Sequence, residues 1–523
     1  MTIGRPDLVH EKGFSPLIIP ILAFVSFIIL MTIIAMPATL PQPDVKNYIG
    51  GHFERNGQQT LDVFSPLDGS VISKVPLSTA ADLNKAVDAA KKAWPAWAGL
   101  TLKDRVQFIY RYRALLEKHM EELTHLVHLE NGKTLTEARA EIEKSIELCE
   151  FAASMPQIIG NEVQEVSKGV ECRIDKKPLG VVASIAPFNF PNMVPNWTIP
   201  NALVLGNCMI LKPSELVPLS AMRLAALLQE AGLPAGVFNV VNGGREIVEA
   251  ICDHPGIQAV SFVGSTRVAK LVYKRATSNL KRCLALGGAK NHLLVLPDAN
   301  LEMTASNVVA SMSGCAGQRC MAAAVMVGVD KVQPIIDRMV EEAKKVIPGE
   351  TLGSVISQQA KDRIEKYITD AENAGAKILL DGRGAKVPGK EDGFYVGPTI
   401  IDFVTPDMGV AKEEIFGPVI SIIRAKDLDE AIHIENSSPY GNAAAVFTQS
   451  GGLARQVIER ASAGMIGVNV GVPVPREPFS FGGWNESKFG VGDITGKSSI
   501  EFWTQVKKTT VKWDPASKIN WMS

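Results

Sequence analysis

The stretch Val181-Val182-Ala183-Ser184-Ile185-Ala186-Pro187-Phe188-Asn189-Phe190-Pro191 decides the fold reading. Its first six residues are a short, β-rich apolar run, and the Pro-Phe-Asn-Phe-Pro that follows breaks it as a turn. Runs of the same kind recur at Cys208–Leu211, Val237–Val241 and Ala259–Val263. The stretches between them, such as 217–231 and 244–253, carry helical periodicity. Strand–helix alternation predicts a parallel sheet covered on both faces, with ligands at the carboxyl ends of its strands. A second alternating block from about 292 to 470 predicts a second α/β unit.

Upstream, Tyr48 to about Val75 reads as β-hairpins broken by Asn56-Gly57, Pro66 and Asp68-Gly69. Thr79-x-x-Asp82 is a helix-capping signal, and Leu83, Ala86, Val87, Ala90 and Trp94 then fall on one helical face. Further helices are predicted over roughly 102–130, stopping at Asn131-Gly132, and from about Leu135 to Met155. The tail from Ser499 to Lys512 reads as a strand that pairs outside its own domain.

The chain has 523 residues, enough for two or three domains with ample core. Its 54 basic and 55 acidic residues balance without blocks of one sign, which gives no support for nucleic-acid binding. Seven cysteines without CxxC or Cys/His spacing argue for a reducing compartment and against a structural zinc. Residues 17–36 are the exception: 20 residues without charge, long enough to span a bilayer. They read either as a membrane anchor or as a segment upstream of a start at Met36. In both cases 1–43 is external to the folded part of the chain, which is otherwise expected in the cytoplasm.

Gly314-Cys315-Ala316-Gly317-Gln318-Arg319-Cys320 looks like a nucleophilic loop. A thiolate is a strong nucleophile, and a neighbouring cation such as Arg319 can lower a thiol pKa. The plain alternative for Cys320 is a small core residue. Asn189, at a strand end, can donate to a developing oxyanion, or can simply form a turn. Lys212 and Glu215 in Leu211-Lys212-Pro213-Ser214-Glu215 can bond ribose hydroxyls; otherwise Ser214 is an N-cap. Gly264-Ser265-Thr266 ends a strand and opens a helix, where a pyrophosphate is favoured, although the GxGxxG fingerprint is absent. In Lys412-Glu413-Glu414-Ile415-Phe416-Gly417-Pro418, Glu414 can meet ribose hydroxyls and Phe416 a nicotinamide, or the run is a charged loop.

Together these motifs resemble the NAD(P)-dependent aldehyde dehydrogenase superfamily over roughly 45–512. The resemblance implies an α/β subunit: a Rossmann-type cofactor domain, an α/β catalytic domain and a small β oligomerisation arm. Mapped here, the cofactor domain is 44–158 and 179–287, the catalytic domain 288–487, and the arm 159–178 and 488–523. It implies Cys320 as nucleophile, Asn189 as oxyanion donor, and Phe188, Lys212, Glu215, Gly264, Ser265, Glu414 and Phe416 at the cofactor. It also implies a homo-oligomer, dimer or tetramer, without a metal.

Hydrolytic members carry a glutamate in a Glu-Leu-Gly-Gly motif upstream of the nucleophile. Here Ala285 stands there, in Cys283-Leu284-Ala285-Leu286-Gly287-Gly288-Ala289-Lys290-Asn291-His292, and no carboxylate lies between Asn279 and Pro297. Without a base for water, another nucleophile must release a thioester. The chain is similar to the CoA-acylating methylmalonate-semialdehyde dehydrogenases in Gly288–His292, Gly317–Ala322, Gly467–Val470 and Glu501–Thr504. That branch implies NAD as cofactor, coenzyme A as cosubstrate, and two arginines on the substrate carboxylate. Arg319 matches the first. Lys144 stands at the second, where a point charge replaces a bidentate fork. The segment at Ala285 also lacks the Asn expected in the branch. A hydrolytic or substrate-divergent aldehyde dehydrogenase, and a non-catalytic membrane-tethered scaffold, stay open on the sequence.

Overall fold

The computed structural model describes residues 42–55 and 59–513. The apolar segment 17–36 lies outside them. Among the described residues no helix is long and apolar enough to cross a membrane.

Two sheets organise the molecule. The first has eight strands in the order His52–Glu54, Asn47–Ile49, Phe238–Val240, Cys208–Lys212, Val181–Ile185, Ala259–Val263, Arg282–Leu286, Lys488–Phe489. Its middle five strands are mutually parallel. Their side chains are almost all buried, which is why they read as continuous apolar runs rather than alternating ones. Because the strands are parallel, the turns at 187–191, 213–215, 264–266 and 287–288 all leave from one edge.

The second sheet has seven strands, in the order Lys377–Leu380, Thr399–Asp402, Val419–Ala425, Ala323–Val329, Asn291–Val295, Ala443–Phe447, Met465–Val468. All its pairings are parallel except the one between the first two strands. Cys320 and Phe416 each stand just before a strand of this sheet. The site therefore lies between the carboxyl edge of the first sheet and the amino edge of the second.

A separate three-stranded antiparallel sheet joins Glu162–Ser167, Val170–Pro178 and Thr504–Lys512. Its outer strands are largely exposed, with Val163, Val166 and Val506 more than half exposed. The tail strand pairs with Val170–Pro178, a segment read as part of the same arm, rather than outside its own domain. Two further details differ from the sequence reading. Gly496–Phe502 is a helix, so the strand begins only at Thr504. Lys488–Phe489, read with the arm, pairs with Arg282–Leu286 in the first sheet.

The helices follow the periodicity closely. Thr79 and Asp82 form the capping box of Ala80–Gly99, whose buried face is Leu83, Ala86, Val87, Ala90 and Trp97. Trp94 is only partly buried. The helix predicted over 102–130 is two helices, Leu102–Lys118 and Met120–Asn131, joined at His119. Gly132 ends the second in a left-handed conformation at φ 83°, where a Cβ would overlap Ser354 Oγ. Ser214 is not an N-cap: the next helix starts at Pro218, and Ser214 Oγ instead accepts the Leu216 N–H within a turn.

Candidate active site

One cavity of about 1940 Å³ is lined by Cys320, Asn189, Phe188, Lys212, Glu215, Gly264, Ser265, Glu414, Phe416, Arg319 and Lys144. Every predicted site residue thus opens onto the same space. The volume exceeds the roughly 300–1,000 Å³ typical of a single small-ligand pocket.

The cysteine loop is held from several sides. Cys315 and Ala316 adopt positive φ of 53° and 52°, and Gly317 follows at 70°. A Cβ on Gly317 would lie 2.0 Å from the Gly417 carbonyl oxygen, so the loop packs directly on the turn after Phe416. The Gln318 side chain accepts from the Ile356 N–H at 3.0 Å. Asn291 and Asn442 each donate a side-chain N–H to the Cys320 carbonyl at 2.8 Å. Their donation fixes the peptide that follows Cys320, and the Cys320 N–H faces its own sulfur.

Burial and the nearby Glu414 carboxylate push the Cys320 thiol up to about 12. Arg319 and the Cys320 N–H pull the other way but do not prevail. Arg319 thus acts in the expected direction, but burial outweighs it. The Arg319 guanidinium lies over Gly314, donating to the carbonyls of Gly314 at 3.0 Å and Ala310 at 2.9 Å.

Asn189 Nδ2 donates to the Gln318 carbonyl at 2.9 Å, which ties the amide to the cysteine loop. Beneath it sits a feature absent from the sequence reading. Lys133 Nζ donates to Glu141 Oε2 and, at 2.6 Å, to the carbonyl of Asn189 itself. It also lies 3.7 Å from the centroid of the Phe190 ring. Glu141 Oε1 accepts the N–H groups of Asn192 at 2.8 Å and Met193 at 3.0 Å. The pair is 1% and 0% exposed. Breaking a fully buried pair by removing one partner leaves an uncompensated charge. Glu141→Ala is expected to destabilise the protein by about 3–5 kcal/mol, measured by urea denaturation. A loss below about 1 kcal/mol would contradict the pair's role as a clamp. A sequence signal exists: Glu141 and Ser145 fall on the face of Leu135–Ala153 that buries Ala138, Ile142 and Cys149. A carboxylate on an apolar stripe needs a buried partner.

At the far end, Lys212 Nζ donates to Glu215 Oε2 at 2.7 Å. Burial opposes the ionised Glu215, but the charge and hydrogen bond of Lys212 outweigh it and hold the carboxyl below its usual range. Phe188 and Phe416 meet edge to face, with ring centroids 5.8 Å apart. Glu414 accepts the Ala289 N–H at 3.0 Å, and burial raises its carboxyl to about 7. A Cβ on Gly288 would come within 2.3 Å of a Glu414 carboxylate oxygen, so a larger residue there would displace that carboxylate. Ala285 is fully buried in its strand; the part of that segment lining the cavity is Gly287-Gly288.

Residues 53–509 match the aldehyde dehydrogenase family. The chain belongs to that family. Among its relatives, malonate-semialdehyde dehydrogenase 2 of Bacillus cereus is 44% identical over 485 residues, 91% of this chain and 99% of that protein. Malonate-semialdehyde dehydrogenase 1 of Geobacillus kaustophilus is 44% identical over 488 residues, 92% of this chain and all of that one. A Sinorhizobium meliloti structure, named as a methylmalonate-semialdehyde dehydrogenase and complexed with NAD, matches with a TM-score of 0.89 and 40% identity. It covers 91% of this chain and 99% of its own. The methylmalonate-semialdehyde dehydrogenase of Oceanimonas doudoroffii matches with a TM-score of 0.89 and 39% identity, over 91% of this chain and 99% of its own.

The residues of this aldehyde dehydrogenase fit a dinucleotide. Ser265 is the N-cap of Thr266–Ser278, yet its side chain makes no capping bond. That hydroxyl and the helix N-terminus are available to a phosphate. A Cβ on Gly264 would strike the Phe262 ring at 2.6 Å, so the backbone there stays bare. Glu215 at one end and Glu414 at the other offer ionisable acceptors for ribose hydroxyls.

Proposed function

We propose that this enzyme oxidises malonate semialdehyde or methylmalonate semialdehyde and transfers the acyl group to coenzyme A, with loss of CO2. The observation that carries the reading is the segment ahead of the nucleophile: Ala285, fully buried in its strand, stands where hydrolytic members carry the glutamate of Glu-Leu-Gly-Gly, and no carboxylate lies between Asn279 and Pro297. The cofactor is NAD, which when bound supplies the acceptor for the aldehyde hydride. Lys212, Glu215, Ser265, Glu414 and the Phe188–Phe416 pair are the groups that would hold and orient it. The Cys320 thiol, raised mainly by burial and then by Glu414, must lose its proton before it attacks.

Cys320 attacks the carbonyl carbon, and the oxygen takes the electron pair. Asn189 Nδ2 and the Cys320 N–H face that oxyanion. After oxidation the acyl group is a thioester on Cys320. A carboxylate β to its carbonyl leaves as CO2, and its electron pair forms an enolate whose oxygen rests on the same donors. Protonation at carbon gives the acetyl or propionyl thioester. The CoA thiolate then attacks the carbonyl and expels the Cys320 thiolate. Mass spectrometry of products from malonate semialdehyde, NAD and CoA should find acetyl-CoA; malonate or free acetate as the main product would overturn the reading.

A second reading has one observation behind it. Glu414 lines the cavity and titrates near 7, the range suited to a general base for water. Its use would make the enzyme hydrolytic, and turnover without CoA separates the two.

Glu215 should select NAD over NADP, since its carboxylate opposes a 2′-phosphate. A like-charge contact costs several kcal/mol, so kcat/KM for NAD should exceed that for NADP on the order of 10²-fold. Equal values for both cofactors would remove Glu215 from the ribose site. The same proposal includes the division into a cofactor domain (44–158, 179–287), a catalytic domain (288–487) and an arm (159–178 and the tail strand Thr504–Lys512), with Lys488–Phe489 going to the first sheet. The exposed arm would pair between copies into a dimer or tetramer, and the enzyme would act in the cytoplasm.

A further inference from the structure

The cavity holds an ion pair that the reaction above does not use. Lys144, on the helix Leu135–Ala153, donates to Glu477 Oε2 at 2.6 Å and to Glu147 Oε2 at 3.0 Å. Glu147 is a neighbour on the same helix and half-exposed. Glu477 comes from 333 residues away, and its side chain is only 11% exposed. Lys144, Glu477 and Cys320 all line the one cavity. The second cation near the nucleophile, Arg319, is turned onto the carbonyls of Gly314 and Ala310. A substrate carboxylate entering this space therefore meets a lysine whose best-shielded partner is a carboxylate of the protein.

We propose that Glu477 is a specificity-determining residue: a resident carboxylate seated on Lys144 that the carboxylate of an incoming substrate displaces. This rests on the proposed carboxylated-aldehyde substrate. The exchange replaces one anion on Lys144 by another of equal charge, so the substrate gains only the difference between the two contacts. It must also return Glu477, now unpaired, to a solvated position. An uncharged aldehyde of similar size needs no exchange. Glu477 thus weakens binding of carboxylated ligands without touching the reacting atoms, and it sets how strongly the enzyme distinguishes them from plain aldehydes.

The test is the inhibition of propanal oxidation by malonate, with NAD and CoA saturating, in the wild type, Glu477→Gln and Glu477→Asp. Removing the competing charge should lower the malonate Ki about tenfold in Glu477→Gln, well inside the effect of a buried charge contact. Glu477→Asp keeps the charge but draws it back, and should give a smaller fall. The KM and kcat for propanal should stay at wild-type values in both, which a merely structural role would not predict. An unchanged or raised malonate Ki would overturn the proposal, as would a propanal KM that moves by the same factor. This readout requires only aldehyde oxidation. If the products show that CoA is not the acyl acceptor, the proposed function fails while the malonate Ki still decides the role of Glu477.

Discussion

Cys320→Ala is expected to lose aldehyde oxidation altogether, while Cys315→Ala keeps most of it. Both cysteines line the cavity, and both thiols are raised by burial. They differ in what surrounds them. Cys320 sits where Asn291 and Asn442 hold its carbonyl and Asn189 is tied to Gln318, two residues before it. Cys315 has a positive φ and gives its N–H to Glu137, an arrangement that shapes the loop. Losing a nucleophile removes the covalent route itself, and drops on the order of 10⁴–10⁶ in kcat are the rule for such groups. The check is NADH formation with propanal. Comparable losses in both variants would show that the loop geometry, not the Cys320 sulfur, is what matters.

Asn189→Ala should lower kcat by about 10²–10³ with little change in KM, the usual loss for one oxyanion donor. Asn189 is 7% exposed as a residue and its carbonyl is anchored by Lys133, so the truncation leaves its backbone in place. A change confined to KM would assign Asn189 to ground-state binding instead.

The strands of the first sheet were legible because they are short, buried on both faces and separated by turn residues. Ala259–Val263 is found at its predicted bounds, and the other strands shift by a residue or so. The motifs after them could be placed at one edge because parallel pairing leaves no other arrangement. The break at His119 was hidden because the apolar spacing continues through it, and the helix Gly496–Phe502 because Phe502-Trp503-Thr504 has β-type composition. The tertiary partners were beyond reach. That Lys133 meets Glu141 under Asn189, or that Glu477 reaches Lys144, depends on segments that only the fold brings together. The burial of Cys320 was beyond reach for the same reason: Arg319 is adjacent in sequence and lowers the thiol pKa as expected, but burial outweighs it.

The central claim is that the Cys320 thioester waits for a thiol. Rapid mixing of enzyme, NAD and propanal in thiol-free buffer tests it most directly. The account predicts one burst of NADH, stoichiometric with active sites, then a stall that CoA relieves. Steady multiple turnover without CoA would contradict it and hand the deacylation step to water.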